Sequence, residues 1–123
     1  MKTKKTLTLE DARIIAAAAE AEALRNRWNV CIAIVDDGAQ LGSVDIAIAK
    51  ARSAMLGKRA TKVYEDMINN GRHSALSMPG ITHLEGGVPI VVEGEIVGAV
   101  GVSGVKSSED AQVAQAGISA LKF

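Results

Sequence analysis

The chain has 123 residues, 48% of them apolar, which is enough for one domain with a real core. Fourteen basic residues cancel fourteen acidic ones, and only Trp28, Tyr64 and Phe123 are aromatic, so both the charge and the stacking platforms of a nucleic-acid binder are missing. No apolar run is long enough for a bilayer, charge at Glu10 and Asp11 interrupts what a secretory signal would need, and the lone Cys31 excludes an internal disulfide; no membrane partner and a cytoplasmic location are expected.

The basic start, Lys2 to Lys5, reads as a frayed, solvated terminus. Thr8 with Asp11 three residues on predicts the N-cap of a first helix ending near Arg27. Ile14, Ala17, Ala18, Ala21, Leu24 and Trp28 form its expected apolar stripe. Val30 to Val35 is a continuous apolar run and predicts a strand buried on both faces, with Cys31 as an inert buried thiol or, as the lesser alternative, a thiolate ligand to haem. Asp36-Asp37-Gly38 closes it as a turn. A second helix is expected from Ser43 to Gly57. Its polar face is narrow (Asp45, Lys50, Arg52 and Ser53), as in a helix covered on more than one side. A third helix is expected from Thr61 to about Asn70, then an irregular loop from Gly71 to Gly87 holding His73 and His83. Val88–Val92 and Glu95–Val102 predict two strands joined by a Glu93-Gly94 hairpin turn. Ser107, with Asp110 three residues on, is the expected cap of a last helix whose stripe is Val113, Ala114, Gly117, Ile118 and Leu121.

Between Gly86 and Gly104 six glycines interrupt strand-like sequence. Gly94 serves the hairpin turn. Gly98, Gly101 and Gly104 lie within or just after a strand, not between a strand and a helix, so neither a dinucleotide fingerprint nor a phosphate loop is present. Alternation sends Gly98 and Val100 to one face, and Val97, Ala99 and Gly101 to the other. Both faces lose bulk there, which fits close packing by a helix, a ligand or a second subunit. Gly86-Gly87, at a strand entrance, either presents backbone N–H groups to a ligand or forms a simple bulge.

These residues resemble the GlcG/HbpS family, relatives of which include the C-terminal domain of PduO-type proteins. The likeness lies in Glu85-Gly86-Gly87-Val88-Pro89-Ile90, in Gly94, in Gly98-Ala99-Val100-Gly101-Val102-Ser103-Gly104, in Glu109-Asp110 and in Ala114-Gln115-Ala116-Gly117. Ser43 to Ala47, Lys50-Ala51 and Leu7 to Ala12 match as well, so it spans nearly the whole chain. The resemblance implies an α+β fold, an antiparallel sheet with helices packed on it in the manner of profilin or a PAS domain. It also implies homo-oligomers and, in some members, haem binding or release of haem iron. One departure stands out. Members follow the first strand with a Gly-Gly turn and a second strand, often ending in Asp-Gly-Ala. Here Asp37-Gly38-Ala39 follows directly on Val35-Asp36, so roughly ten residues, one strand's worth, are missing. Either a deletion has exposed the neighbouring strand's edge, or the 1–123 chain omits a segment at the Asp37–Gly38 join. Omission is the expectation, and an intact mass near 12.8 kDa would contradict it.

Several residues are candidates for chemistry. His73 and His83 are possible metal or haem ligands, or ordinary loop histidines, since their spacing is no metal motif. Helix one and strand one, where some relatives place a haem-ligating His, contain none. Lys50, on an otherwise apolar helix, either binds a carboxylate or acts as a base, or its stem packs and its ammonium reaches solvent. Glu85 is an acid, a cation ligand or a solvated charge. Asp36 points into a pocket or caps a turn. Ser103 lacks a neighbouring His–Asp pair for a hydrolase triad, and stands as a ligand contact only. The function expected is an oligomeric small-ligand binding protein with a site around Gly86, Gly87, His73, His83, Ser103 and Asp36, haem or a related tetrapyrrole being the ligand the family implies. The alternatives are an auxiliary enzyme acting on a small hydroxy acid or aldehyde through Lys50, Glu85 or a histidine, and a structural assembly subunit.

Overall fold

The computed structural model describes residues 1–37 and 46–122. The elements are α1 (Leu9–Arg25), β1 (Cys31–Asp36), α2 (Ile46–Gly57), α3 (Lys62–Asn69), a 3-10 turn (His73–Ser77), β2 (Gly87–Val92), β3 (Glu95–Ser103) and α4 (Ser107–Ser119). The described strands form one antiparallel sheet in the order β1-β3-β2, with helices packed on it, as the α+β expectation required. The expected start of the second helix at Ser43, and all but the first residue of the Asp37–Gly38 join, lie outside the described residues.

Thr8 starts α1 as its sequence predicts. The Thr8 hydroxyl accepts from the Asp11 N–H at 3.1 Å, and the Asp11 carboxylate accepts from the Thr8 N–H at 2.9 Å. The buried stripe of α1, however, is Ile15, Ala19 and Ala23, one position away from the expected one, and Ile14 and Leu24 are exposed. The reason is α4. An added Cβ at Gly117 would lie 2.8 Å from Ile15 O and 3.1 Å from Ala19 Cβ, so α1 turns its smallest ridge toward a helix that comes very close. α1 and α4 together cover one face of the sheet, around Ile90, Val100 and Val102.

α2 covers the other face, with Ala51, Ala54 and Met55 against Val35 and Ala99. This contact explains the glycines. A Cβ at Gly101 would run into Ala47 O and lie 2.5 Å from Ala51 N. A Cβ at Gly87 would lie 2.8 Å from both the Lys50 carbonyl carbon and Thr61 Cγ2. The helix backbone therefore rests on the strand backbone, and glycine at both positions makes that possible. On the opposite face a side chain at Gly98 would meet Leu7 of the N-terminal segment. The hairpin turn is as predicted, with φ 51° at Glu93 and 81° at Gly94.

Four other expectations need correction. β1 is not buried on both faces, because it is the edge strand of the described sheet; its burial is partial and Cys31 is exposed. Val97 does not face α2. The pairs Ile90↔Gly98 and Val91↔Ile96 leave it as the extra residue of a bulge, and it joins the α1/α4 core. The start is solvated as expected but not frayed throughout, since two of its exposed lysines are tethered, Lys4 to Asp37 and Lys5 to Glu93, the latter at 2.7 Å. Hydrogen bonding from Lys4 holds the Asp37 carboxyl below its ordinary value. Ser107 is the first residue of α4 and not its cap; the Lys106 N–H donates to Glu109 Oε1 at 3.3 Å instead, which leaves Asp110 for another role.

Because a Gly101 side chain would meet helix backbone at Ala47 and Ala51 and the Ala51 Cβ, none of which can swing aside, Gly101→Ala is expected to destabilise the fold by about 1–3 kcal/mol. Urea unfolding measures this, and a variant as stable as wild type would show that α2 does not sit where described.

Candidate functional site

The sheet end near Gly86 gathers several of the candidate residues. Lys50 leaves α2 in the stripe that packs on the sheet, between Ala47 and Ala54. Its ammonium donates to Val102 O at 2.8 Å and to Asp110 Oδ2 at 3.0 Å, and the residue is 2% exposed. Asp110 is equally buried, and its second oxygen accepts from the Val105 N–H at 3.1 Å. The pair joins α2, β3 and α4 at one point. Gly86, with φ 131°, makes the passage. A side chain there would lie 3.0 Å from Lys50 Cδ and 2.8 Å from Nζ. Each buried side-chain nitrogen and oxygen of this unit has a hydrogen-bond partner, so burying two charges is compensated by direct bonds. Lys50 is therefore a buried structural cation. It does not reach solvent, as the snorkelling alternative required, and among the described residues its ammonium is committed to Val102 and Asp110.

The Gly86-Gly87 backbone is engaged too. The Gly87 N–H donates to Thr61 Oγ1 at 2.9 Å, and Gly87 O accepts from the Thr61 N–H at 2.9 Å. Gly86 O accepts from the Val102 N–H at 3.0 Å. Thr61 thus ties the start of β2 to the start of α3, and its hydroxyl is not used to cap its own helix. A second buried hydroxyl, Ser53 Oγ, accepts from the Thr82 N–H at 2.8 Å and holds the following loop against the back of α2. Sequence reasoning missed Thr61, Ser53 and Asp110. The signal for Asp110 was present: it stands three residues before Val113, four before Ala114 and seven before Gly117, on the buried stripe of α4.

The stretch expected to be irregular contains the 3-10 turn, and the two histidines differ sharply within it. The His83 ring is half-buried, edge-on to Tyr64 at a centroid distance of 5.9 Å, and its Nε2–H donates to Ala75 O at 2.6 Å. His83 thereby pins the turn from beneath. His73 is exposed at the first position of that turn. Residues three apart eclipse in a 3-10 turn, so His73 shares its face with Leu76, which is 62% exposed. The turn presents an imidazole and an apolar side chain together on an outer surface.

The remaining candidates are scattered. Glu85 is half-buried and lies close enough to Lys62 to help hold that ammonium's pKa up, behind the larger effect of its hydrogen bond to Asp66. Ser103 is half-buried opposite Cys31, and Asp36 is exposed opposite Gly98. Five residue steps along β1 separate those two pairings, roughly 17 Å at strand rise. Among the described residues no group of three or more His, Cys, Asp or Glu is placed to hold a metal ion, and no helix is long and apolar enough to cross a membrane.

Known proteins are similar to this chain in sequence and in fold. A family profile described as "Haem degrading protein HbpS-like" matches residues 7–119. Protein GlcG of Escherichia coli (strain K12) is 48% identical over 114 aligned residues, which cover 84% of this chain and 85% of that protein. A crystal structure of a double mutant of HbpS from Streptomyces reticuli superposes with a TM-score of 0.84 at 29% identity, covering 100% of this chain and 92% of that one. The crystal structure of a PduOC:heme complex shares the fold, with a TM-score of 0.80 at 24% identity over 95% of this chain and 96% of that one.

Removing either member of the buried pair leaves a charge or a carboxyl oxygen stranded. Lys50→Met and Asp110→Asn are each expected to cost about 3–5 kcal/mol, and the double variant Lys50→Met/Asp110→Leu less than their sum. Denaturant unfolding of the three variants checks this; single variants within about 1 kcal/mol of wild type would mean the charges are not buried together.

Proposed function

The chain belongs to the HbpS-like family of haem-degrading proteins, and on that premise we propose that it is an oligomeric small-ligand binding protein whose ligand is haem or a related tetrapyrrole. The observation that carries the proposal is the exposed His73 imidazole, set beside Leu76 on a turn that His83, packed edge-on to Tyr64, bonds from the core side. An imidazole can serve as an axial ligand to haem iron and an apolar side chain can contact the macrocycle, and His73 and Leu76 supply one of each. Bound there, haem would supply redox-active iron. The chain's own part is to ligate through His73, to offer Leu76 to the macrocycle, and to fix the turn through His83. His83 acts as a positioning residue, since its Nε2 is already committed to Ala75.

Homo-oligomerisation is supported by the apolar side chains this small domain leaves exposed, among them Ile46, Leu56, Val63 and Leu84. The cytoplasm is the proposed compartment, on the single exposed thiol of Cys31. The enzyme alternative loses its best candidate, because Lys50 is sealed with Asp110.

Haem titration followed at the Soret band tests this reading. Wild-type protein is expected to shift the band saturably. His73→Ala should abolish the shift, and His83→Ala should weaken affinity by about tenfold by loosening the turn. No shift with wild type, or an unchanged titration in His73→Ala, would contradict the proposal.

A further inference from the structure

The end of the sheet away from Gly86 holds a cavity that the His73 turn does not share. β2 enters beside Thr61 at Gly87 and reaches the hairpin at Val92, five residue steps or roughly 17 Å further on. There Val92, Val97 and Leu121, all buried members of the α1/α4 core, leave a space of about 230 Å³ instead of closing on one another. Leu7 forms a fourth apolar wall, and Lys5 and Asp11 stand beside it. Two backbone features make this space. The β2–β3 bulge adds Val97 to this face. Gly98, with no side chain, lets Leu7 lie across the strand where a Cβ would otherwise stand. The Lys5–Glu93 ion pair, at 2.7 Å, ties the same segment to the hairpin turn.

The two charged groups at the cavity are unequal. The Lys5 ammonium is engaged by Glu93, whereas Asp11 is half-buried and uses only Oδ2, which accepts from the Thr8 N–H. Asp11 Oδ1 has no hydrogen-bond partner among the described residues. An ionised carboxylate only accepts, so what it lacks is a donor. Apolar walls with a convergent polar group are the pattern of a small-molecule site. We propose that this cavity binds a short-chain aliphatic molecule with a hydrogen-bond-donating head, an alcohol or a primary amine, the head on Asp11 and the chain against Val92, Val97 and Leu121. At about 30 Å³ per water-sized group, the space takes roughly seven or eight non-hydrogen atoms. A carboxylate head is disfavoured, because it offers no donor and repels Asp11.

Methyl-labelled protein titrated with 1-hexanol, hexylamine and hexanoate, and followed by carbon-13 NMR, tests it. Hexanol and hexylamine are expected to shift the Leu7, Val92, Val97 and Leu121 methyls saturably and to leave Leu76, beside His73, unmoved. Hexanoate is expected to bind at least about tenfold more weakly than hexylamine. Val97→Phe and Leu121→Phe fill the space from two different walls, and either one that keeps the wild-type melting transition should abolish the shifts. Asp11→Asn should weaken hexylamine by about tenfold and leave hexanol within about threefold, because the amide keeps an acceptor but not the charge. His73→Ala should bind the probes as wild type does. No saturable shift at these methyls, shifts that survive a folded filling variant, or hexanoate binding as tightly as hexylamine would each overturn the proposal. So would binding seen only in Phe123→Ala, which would assign the cavity to a side chain of this chain instead of a ligand.

Discussion

The structure depends on how closely α2 approaches the sheet. Gly87 and Gly101 strip the strands of side chains where the helix crosses, and Ala47, Ala51 and Ala54 do the same on the helix. At that separation a long side chain from the helix cannot turn back toward water. Lys50 instead runs alongside Gly86, and its charge must be met inside the protein. Asp110 meets it, and in doing so fixes α4, which lies with α1 on the other face. A single ion pair thus couples the two helical layers past the end of the sheet, and the glycines are the condition for its geometry.

This arrangement decides which residues remain available for ligands. The groups that look most reactive in the sequence are consumed in building the molecule: Lys50 by Asp110, the Gly87 amide by Thr61, His83 by Ala75 and Tyr64. What the described residues offer outward is of another kind, an imidazole beside a leucine on a short turn and several exposed apolar side chains. Those are features for binding and assembly, and they agree with membership of a family described by its relation to haem.

Much of the fold was legible in the residues because local chemistry specified it. Thr8 and Asp11 cap a helix without help from elsewhere, and Glu93-Gly94 makes its turn from backbone preference alone. The order of elements followed from these signals and from apolar periodicity. The stripe of α1 did not, since a run of alanines gives nearly the same pattern on every face and the choice falls to Gly117 across the contact. The edge position of β1 was equally hidden, because an apolar run looks the same whether one neighbour flanks the strand or two. Within the site, Lys50 was conspicuous but its partner was not. Asp110 offered a plausible local role as a cap, and only the tertiary structure shows that Glu109 fills the capping function instead.

The buried ammonium of Lys50 is the centre of this account, and nitrogen-15 NMR of the lysine side chains observes it directly. The account predicts one ammonium signal whose protons exchange slowly with water and show scalar or dipolar contact with Asp110 and Val102, apart from the rapidly exchanging signals of surface lysines. If the Lys50 signal instead exchanges as fast as the rest, the charge is in water and the coupling of the helical layers described above does not exist.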